Sequence, residues 1–242
     1  MSEGSEQQGR RRPPKHAAEA QASSTYHTRF SVASDGSSRE ELIDLVLFDI
    51  GGVLGSNGWD REQRAAAVER FGLDAEDFQY RHEETVGAWE SGAITLDEYL
   101  DVTVFCSPRD FTEKEFKEFM FEQSEPWWDS IAVASALSNA GRVLLGTLNN
   151  ESEALNVYRI ETFSLAPIFS VFFSSCWLGA RKPMQQIYTR ALSMAQVPAE
   201  RTLFIDDRAQ NLRPAAALGM KTIHFQSAEQ LRGELETLGL LD

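Results

Sequence analysis

From Arg142 to the end, the chain alternates between two textures. Arg142–Leu148, Ser170–Ser175, Thr202–Asp206 and Lys221–Gln226 are short apolar runs and read as strands. Between and after them, Glu151–Phe163, Pro183–Ala195, Ala209–Leu218 and Ala228–Leu238 read as helices. Strands that alternate with helices of this length build βαβ units, and βαβ units build a parallel sheet. One more strand stands far upstream. In Leu45-Val46-Leu47-Phe48-Asp49-Ile50-Gly51-Gly52-Val53-Leu54 an apolar run leads into a single carboxylate and two glycines. A continuous apolar run suits a strand buried on both faces. Asp49 then falls at the carboxyl end of the strand, where open α/β sheets bind ligands, and Gly51 and Gly52 allow a tight turn and close backbone approach.

The stretch between these strands, from Trp59 to about Gly141, reads as helical throughout. Gly72 stops a helix over Arg61–Phe71, and a second runs over Asp74–Trp89. Thr95 with Glu98 forms a capping box for Leu96–Phe105. Thr112–Gln123 follows, and Pro126 opens a helix through Leu137. A crossover needs one helix, so most of these five are expected in an inserted cap. The predicted organisation is a Rossmann-like three-layer α/β core over 41–58 and 130–242 and a helical cap over 59–129. Phe116, Phe119 and Trp127 are expected in the cap core.

Residues 1–40 are rich in Ser, Gln, Ala, Glu and Arg and have a disordered composition. Arg10-Arg11-Arg12-Pro13-Pro14-Lys15 is a small basic cluster, read as part of a solvated tail. No apolar segment follows Arg11-Arg12, which argues against twin-arginine export. No run approaches the length of a membrane span.

The 242 residues carry a formal net charge of −14, which argues against nucleic-acid or anionic-membrane partners. Cys106 and Cys176 are too few for a disulfide framework and point to a reducing compartment, the cytoplasm. None of His16, His27, His82 and His224 stands at zinc-ligand spacing from a cysteine.

Several strands end in polar residues. Phe204-Ile205 runs into Asp206-Asp207, Leu148 into Asn149-Asn150, and Lys182-Pro183 opens a helix. Each alone is an ordinary turn or helix cap. In one parallel sheet they share an edge, where Asp49, Asn149, Lys182, Asp206 and Asp207 converge. Crowded carboxylates repel unless a cation joins them. Oxygen ligands of this charge suit Mg²⁺, and Lys182 adds the positive charge a phosphate needs.

This ordered set resembles the haloacid dehalogenase-like (HAD) hydrolases over roughly 44–219. Asp49 matches the family's nucleophile, Asn149 its second motif, Gly179-Ala180-Arg181-Lys182-Pro183 its lysine motif, and Asp206-Asp207 its acidic fourth motif. Asn211 and Leu218-Gly219-Met220 follow. The insertion resembles a C1-type cap, and the first motif resembles that of sugar-phosphate phosphatases with an Asp-x-Gly motif. The resemblance implies a Mg²⁺-dependent phosphatase acting on a small phosphorylated metabolite through an aspartyl-phosphate. Its metal ligands are Asp49, the Gly51 backbone carbonyl, Asp206 and Asp207. Lys182, Asn149, Gly52 and Thr147 are its phosphate-binding candidates, and a monomer or dimer is expected.

Two positions depart from the family pattern. Gly51 stands where most of these phosphatases carry a second aspartate as general acid. Leu148 stands where a phosphate-binding Ser or Thr is usual, and Thr147 serves only if the strand end is bulged. The lost acid implies a slow enzyme, a substrate with a good leaving group, or an acid borrowed from the cap, where Glu83, Glu84 and Glu90 are candidates. Two other readings stay open: a catalytically weak or inactive binding protein of this fold, and another hydrolase chemistry such as dehalogenation.

Overall fold

In the computed structural model, which describes residues 42–242, β1 (Leu45–Phe48) is the central strand of a five-stranded parallel sheet. The reading of residues 1–40 falls outside the described residues. The strand order is β3-β2-β1-β4-β5, with β2 Leu144–Asn149, β3 Val171–Ser174, β4 Thr202–Asp206 and β5 Lys221–His224. Phe48 is level with Thr147 of β2 and Ile205 of β4. The order reverses direction at β1, so the crevice beyond its carboxyl end is the topological switch point where such sheets take ligands.

Alternation along β1 separates two hydrophobic layers. Val46, Phe48 and Ile50 pack with Ile131, Ala134 and Leu137 of α5 (Trp128–Ala140) and with Leu231 and Leu235 of α10 (Ala228–Thr237). Leu45 and Leu47 pack on the other side with Ile187, Tyr188 and Ala191 of α8 (Gln185–Ala195) and Ala215 of α9 (Ala209–Ala217). Leu47 is fully buried; truncation to alanine at such a site costs about 2–5 kcal/mol.

The cap has its own core. Its helices are α1 (Arg61–Phe71), α2 (Ala75–Glu90), α3 (Leu96–Thr103) and α4 (Glu113–Glu122). Trp59, Phe78, Trp89, Tyr99, Phe116, Phe119 and Met120 form one cluster, joined from the core by Leu155 of α6 (Glu153–Thr162). The Thr95–Glu98 capping box is formed, and Thr112–Glu115 forms a second one. Of the five inserted helices, α5 lies on the sheet rather than in the cap cluster. Trp127 leaves the cap with it: its amide donates to Leu54 O at 2.9 Å, and its ring, 41% exposed, stacks on Phe225.

One helical turn was not legible in the sequence, α7 (Ser175–Leu178), directly after β3. It docks the cap. Ser175 Oγ donates to the carbonyl of Glu90 in α2 at 2.6 Å and accepts from Glu151 N at 2.9 Å. Gly92, φ 75°, lies so close to the Cys176 carbonyl that a Cβ there would stand 2.2 Å from the oxygen. Among the described residues, no helix is long and apolar enough to cross a membrane.

Candidate active site

Residues of one parity reach the sheet edge on the α8/α9 side. Asp49 continues the Leu45, Leu47 row and Asp206 continues the Phe204 row. Lys182, between α7 and α8, reaches both: Nζ is 2.8 Å from Asp49 Oδ2 and 2.7 Å from Asp206 Oδ2. All three side chains are nearly inaccessible to solvent. Asp49 Oδ1 accepts from the Ile50 amide at 2.8 Å. Asp206 accepts from the Arg208 amide at 2.8 Å and from Asn211 Nδ2 at 3.0 and 3.1 Å. Burying a carboxylate unpaired is costly, and this shell of donors makes the arrangement tolerable.

The donors are unevenly shared. Burial raises Asp49 to about pH 8, with Lys182 pulling down and the charge of Asp206 pushing up. Burial also acts on Asp206, but Lys182 and the other donors outweigh it and hold this carboxyl below its ordinary range. Burial, then the charge of Asp206, raises Asp207. Asp49 and Asp206 thus share one ammonium, and Asp207 has Arg208 Nε 3.9 Å away.

Oxygen atoms of Asp49, Asp206 and Asp207 lie within 4.8 Å of one another. Asp207 Oδ1 is buried and has no hydrogen-bond partner. A Cβ on Gly52, φ 75°, would stand 2.4 Å from the Asp207 carboxyl, so only glycine leaves room for that carboxylate. A hard, oxygen-seeking cation fits this donor set.

Above the carboxylates opens a cavity of about 350 Å³ between core and cap. Glu90 lines it, paired with Arg181 at 2.7 Å. Burial raises its carboxyl, with Arg181 pulling it back down. Glu84 does not line this cavity, and Glu83 borders a different groove. Beside Gly51 stands a group of the opposite sign from the missing acid. A Cβ on Gly51 would be 3.6 Å from Arg159 Nη1 and 3.3 Å from Asn57 Oδ1. Arg159, from α6, pairs with Glu151 at 3.2 Å, both buried. Burial pushes Glu151 up to about 7, with Arg159 pulling it back down.

Asp49, Gly51, Gly52, Lys182, Asp206 and Asp207 are brought together as expected. Thr147 and Asn149 are not. The β2 register is regular, so Leu148 faces the Asp49 side, and Thr147 lies opposite with its hydroxyl buried and unpartnered. Asn149 Nδ2 donates to Asn156 in α6 at 2.9 Å. Its neighbour Asn150 holds the Lys182 loop instead, donating to Lys182 O and accepting from Lys182 N at 2.9 and 2.8 Å. Asn150, of the same parity as Leu148, lines the cavity in place of Asn149. Arg159, Glu151, Arg64 and His82, which also line the cavity, carry no motif.

A doubly wound α/β core, a lid of helices and an acidic strand edge bridged by lysine define a capped hydrolase of the aspartate-bearing type. The family model "haloacid dehalogenase-like hydrolase" matches residues 43–219, and the chain belongs to that family. Flavin mononucleotide hydrolase 1 of Arabidopsis thaliana, a chloroplast protein by its name, is 25% identical over 87% of this chain and 83% of its own length. Bifunctional epoxide hydrolase 2 of Sus scrofa is 24% identical over 79% of this chain, which spans only 38% of that protein. A HAD family enzyme from Bacteroides thetaiotaomicron superposes with a TM-score of 0.66 at 20% identity, covering 76% of this chain and 94% of its own. A structure of that enzyme contains magnesium and inorganic phosphate.

Proposed function

We propose that the protein is a Mg²⁺-dependent phosphatase of small phosphorylated metabolites. The observation that carries this is the Lys182 bridge from Asp49 to Asp206, with Asp207 beside it, where Asp49 and Lys182 line the cavity. Asp49, the Gly51 carbonyl, Asp206 and Asp207 would hold the metal, which when bound offsets the charge of the phosphoryl oxygens. The Asp49 carboxylate attacks phosphorus; its O–P bond forms as the bond to the leaving oxygen breaks. Lys182 steadies the nucleophile and the phosphoryl group. Water then attacks the aspartyl-phosphate, and phosphate departs with Asp49 regenerated. With glycine at 51, the leaving oxygen takes its proton from solvent or leaves without one, which favours aryl, acyl or anomeric phosphates. One relative's name supports this reading, sesquiterpene phosphatase astK of Aspergillus oryzae, 32% identical over 71 residues, 29% of this chain and 36% of its own length.

The two free cysteines suit a reducing compartment, and a cytoplasmic location is part of the proposal, as are action as a monomer or dimer and the absence of nucleic-acid partners. The division into a core and a cap over 59–129 belongs to it too. Gly51 favours one rival, a binding protein without turnover. A panel of p-nitrophenyl phosphate, acetyl phosphate and sugar phosphates, with Mg²⁺ or EDTA, decides between them. Turnover that needs Mg²⁺ and is lost in Asp49→Asn is expected. A wild type as inert as Asp49→Asn on every compound overturns the enzyme reading.

A further inference from the structure

The cap end of the cavity holds more N–H donors than the protein can satisfy. Three of the four arginines that line it are taken by carboxylates: Arg159 by Glu151, Arg181 by Glu90 and Arg208 by Asp60. Arg64 of α1 is different. It is 8% exposed, and its bonds go to neutral acceptors, Nη1 to Trp59 O at 2.8 Å and Nε to Gln79 Oε1 at 3.3 Å. No carboxylate among the described residues pairs with it. Asp60, Glu90 and Glu83 act on it only from beyond ion-pair distance, and a buried guanidinium with no carboxylate in contact gains from an anion that completes it.

Its neighbours also present N–H groups. Trp59 Nε1 donates to Tyr99 Oη at 3.0 Å, and His82 Nδ1 lies 2.8 Å from the same oxygen. In the tautomer in which Nδ1 accepts the tyrosine proton, His82 carries its hydrogen on Nε2. Burial and the nearby Arg64 push its pKa down to about 3, so the ring stays a neutral donor. Trp89 Nε1 and Arg181 Nε are buried and without partners. Trp59, His82, Trp89 and Arg181 line the cavity.

Resting on the phosphatase reading, we propose that the substrate carries a second oxyanion, carboxylate or phosphate, which docks on Arg64 with the His82 and Trp89 N–H groups beside it. Arg64 then sets specificity without touching the reacting phosphorus. The structure assigns the phosphoryl group to the Lys182 end and the second anion to the cap end, so a substrate with one phosphate and no other charge leaves Arg64 unpaired.

The test separates binding from turnover. Phenyl phosphate, 3- and 4-carboxyphenyl phosphate and benzene-1,4-diyl bisphosphate are titrated with Mg²⁺ into the Asp49→Asn protein by calorimetry. A charge-assisted contact predicts that one of the doubly anionic ligands binds on the order of 10- to 100-fold more tightly than phenyl phosphate. Preference for the carboxylates or for the bisphosphate tells which oxyanion the site takes. Arg64→Met, in the same background, should erase the preference and leave phenyl phosphate unchanged, while Arg64→Lys should keep part of it. Equal affinities, no binding by any of the ligands, or a preference that survives Arg64→Met overturns the proposal. Should Arg64→Met fail to fold, the comparison of ligands and the Arg64→Lys protein still decide. Steady-state turnover of the same compounds by the protein with Asp49 intact reads the phosphatase assignment separately; its failure leaves the affinity ratios standing.

Discussion

Lys182 Nζ sits almost equidistant from Asp49 and Asp206, 2.8 and 2.7 Å away, yet the two carboxyls are driven in opposite directions. Asp206 gains the Arg208 amide and Asn211 as further donors, whereas Asp49 has one backbone amide. The shared ammonium therefore keeps Asp206 ionised while Asp49 holds its proton up to about pH 8.

Metal binding should consequently depend on pH. Mg²⁺ needs the Asp49 carboxylate, so below pH 8 its apparent affinity should rise roughly tenfold per pH unit in the limit of one proton released. Without metal the sign is reversed. A carboxyl raised in the folded state contributes stability that is complete below its unfolded value and is lost as pH rises toward 8. Thermal unfolding with Mg²⁺ and with EDTA at pH 6, 7 and 8.5 should show the metal-induced gain growing with pH. A pH-independent gain would contradict this account of Asp49.

Glycine at 51 should make turnover steep in leaving-group quality. Aryl phosphates should outrun alkyl phosphates by about 10²–10⁴-fold beyond their difference in an enzyme with a general acid. Gly51 does not have positive φ, and the one tight approach its absent Cβ would meet is Asn57 Oδ1 at 3.3 Å. Gly51→Asp should fold and narrow the aryl–alkyl gap. The gain should fall short of the full factor, because Arg159 at 3.6 Å favours the ionised carboxylate over the acid form. Paired rates for phenyl and propyl phosphate in both proteins measure it.

How much of this was legible in the sequence depends on the kind of order involved. Strand ends are marked by the switch from apolar runs to carboxylates, so Asp49, Asp206 and Asp207 could be placed before any coordinates. Side-chain parity at the end of β2 needed the register, and Asn149 turns away from the edge while Asn150 serves it. At the cap end only Glu90 was legible. Arg64, His82 and Arg159 come from three helices whose facing sides are set only when cap and core dock, and a polar residue on an amphipathic helix carries no sign of which neighbour it meets. Trp127 misled for a similar reason: aromatic spacing cannot tell where the chain leaves one core for the next.

Arg159→Met should be among the most damaging substitutions outside the carboxylate cluster. It leaves Glu151 buried without its cation, at a cost of about 3–5 kcal/mol. Glu151 is raised to about 7 even with its partner present, so protonation should relieve the variant. Stability lost at pH 8 should return in part at pH 5.5, and Arg159→Met/Glu151→Gln should be more stable at pH 8 than Arg159→Met. Urea unfolding at the two pH values checks both statements.

Gly52→Ala tests the cradle beneath Asp207. The left-handed backbone at 52 costs an alanine about 1–2 kcal/mol, and its Cβ would displace the Asp207 carboxyl 2.4 Å away. Loss of Mg²⁺-induced stabilisation by far more than the loss of Tm explains is expected, read by calorimetric titration of Mg²⁺.

The Ser175 hydroxyl couples two parts of the molecule that the chain keeps far apart. It holds the carbonyl end of α2 on one side and the amide of Glu151 on the other, and Glu151 holds the guanidinium that flanks Gly51. Any outward tilt of α2 that admits a bulkier guest pulls on this joint and, through it, on the wall beside Gly51. On the proposed function, admission and reactivity would be geared together: a guest that wedges the cap open would also change the charge landscape at the floor on which it reacts.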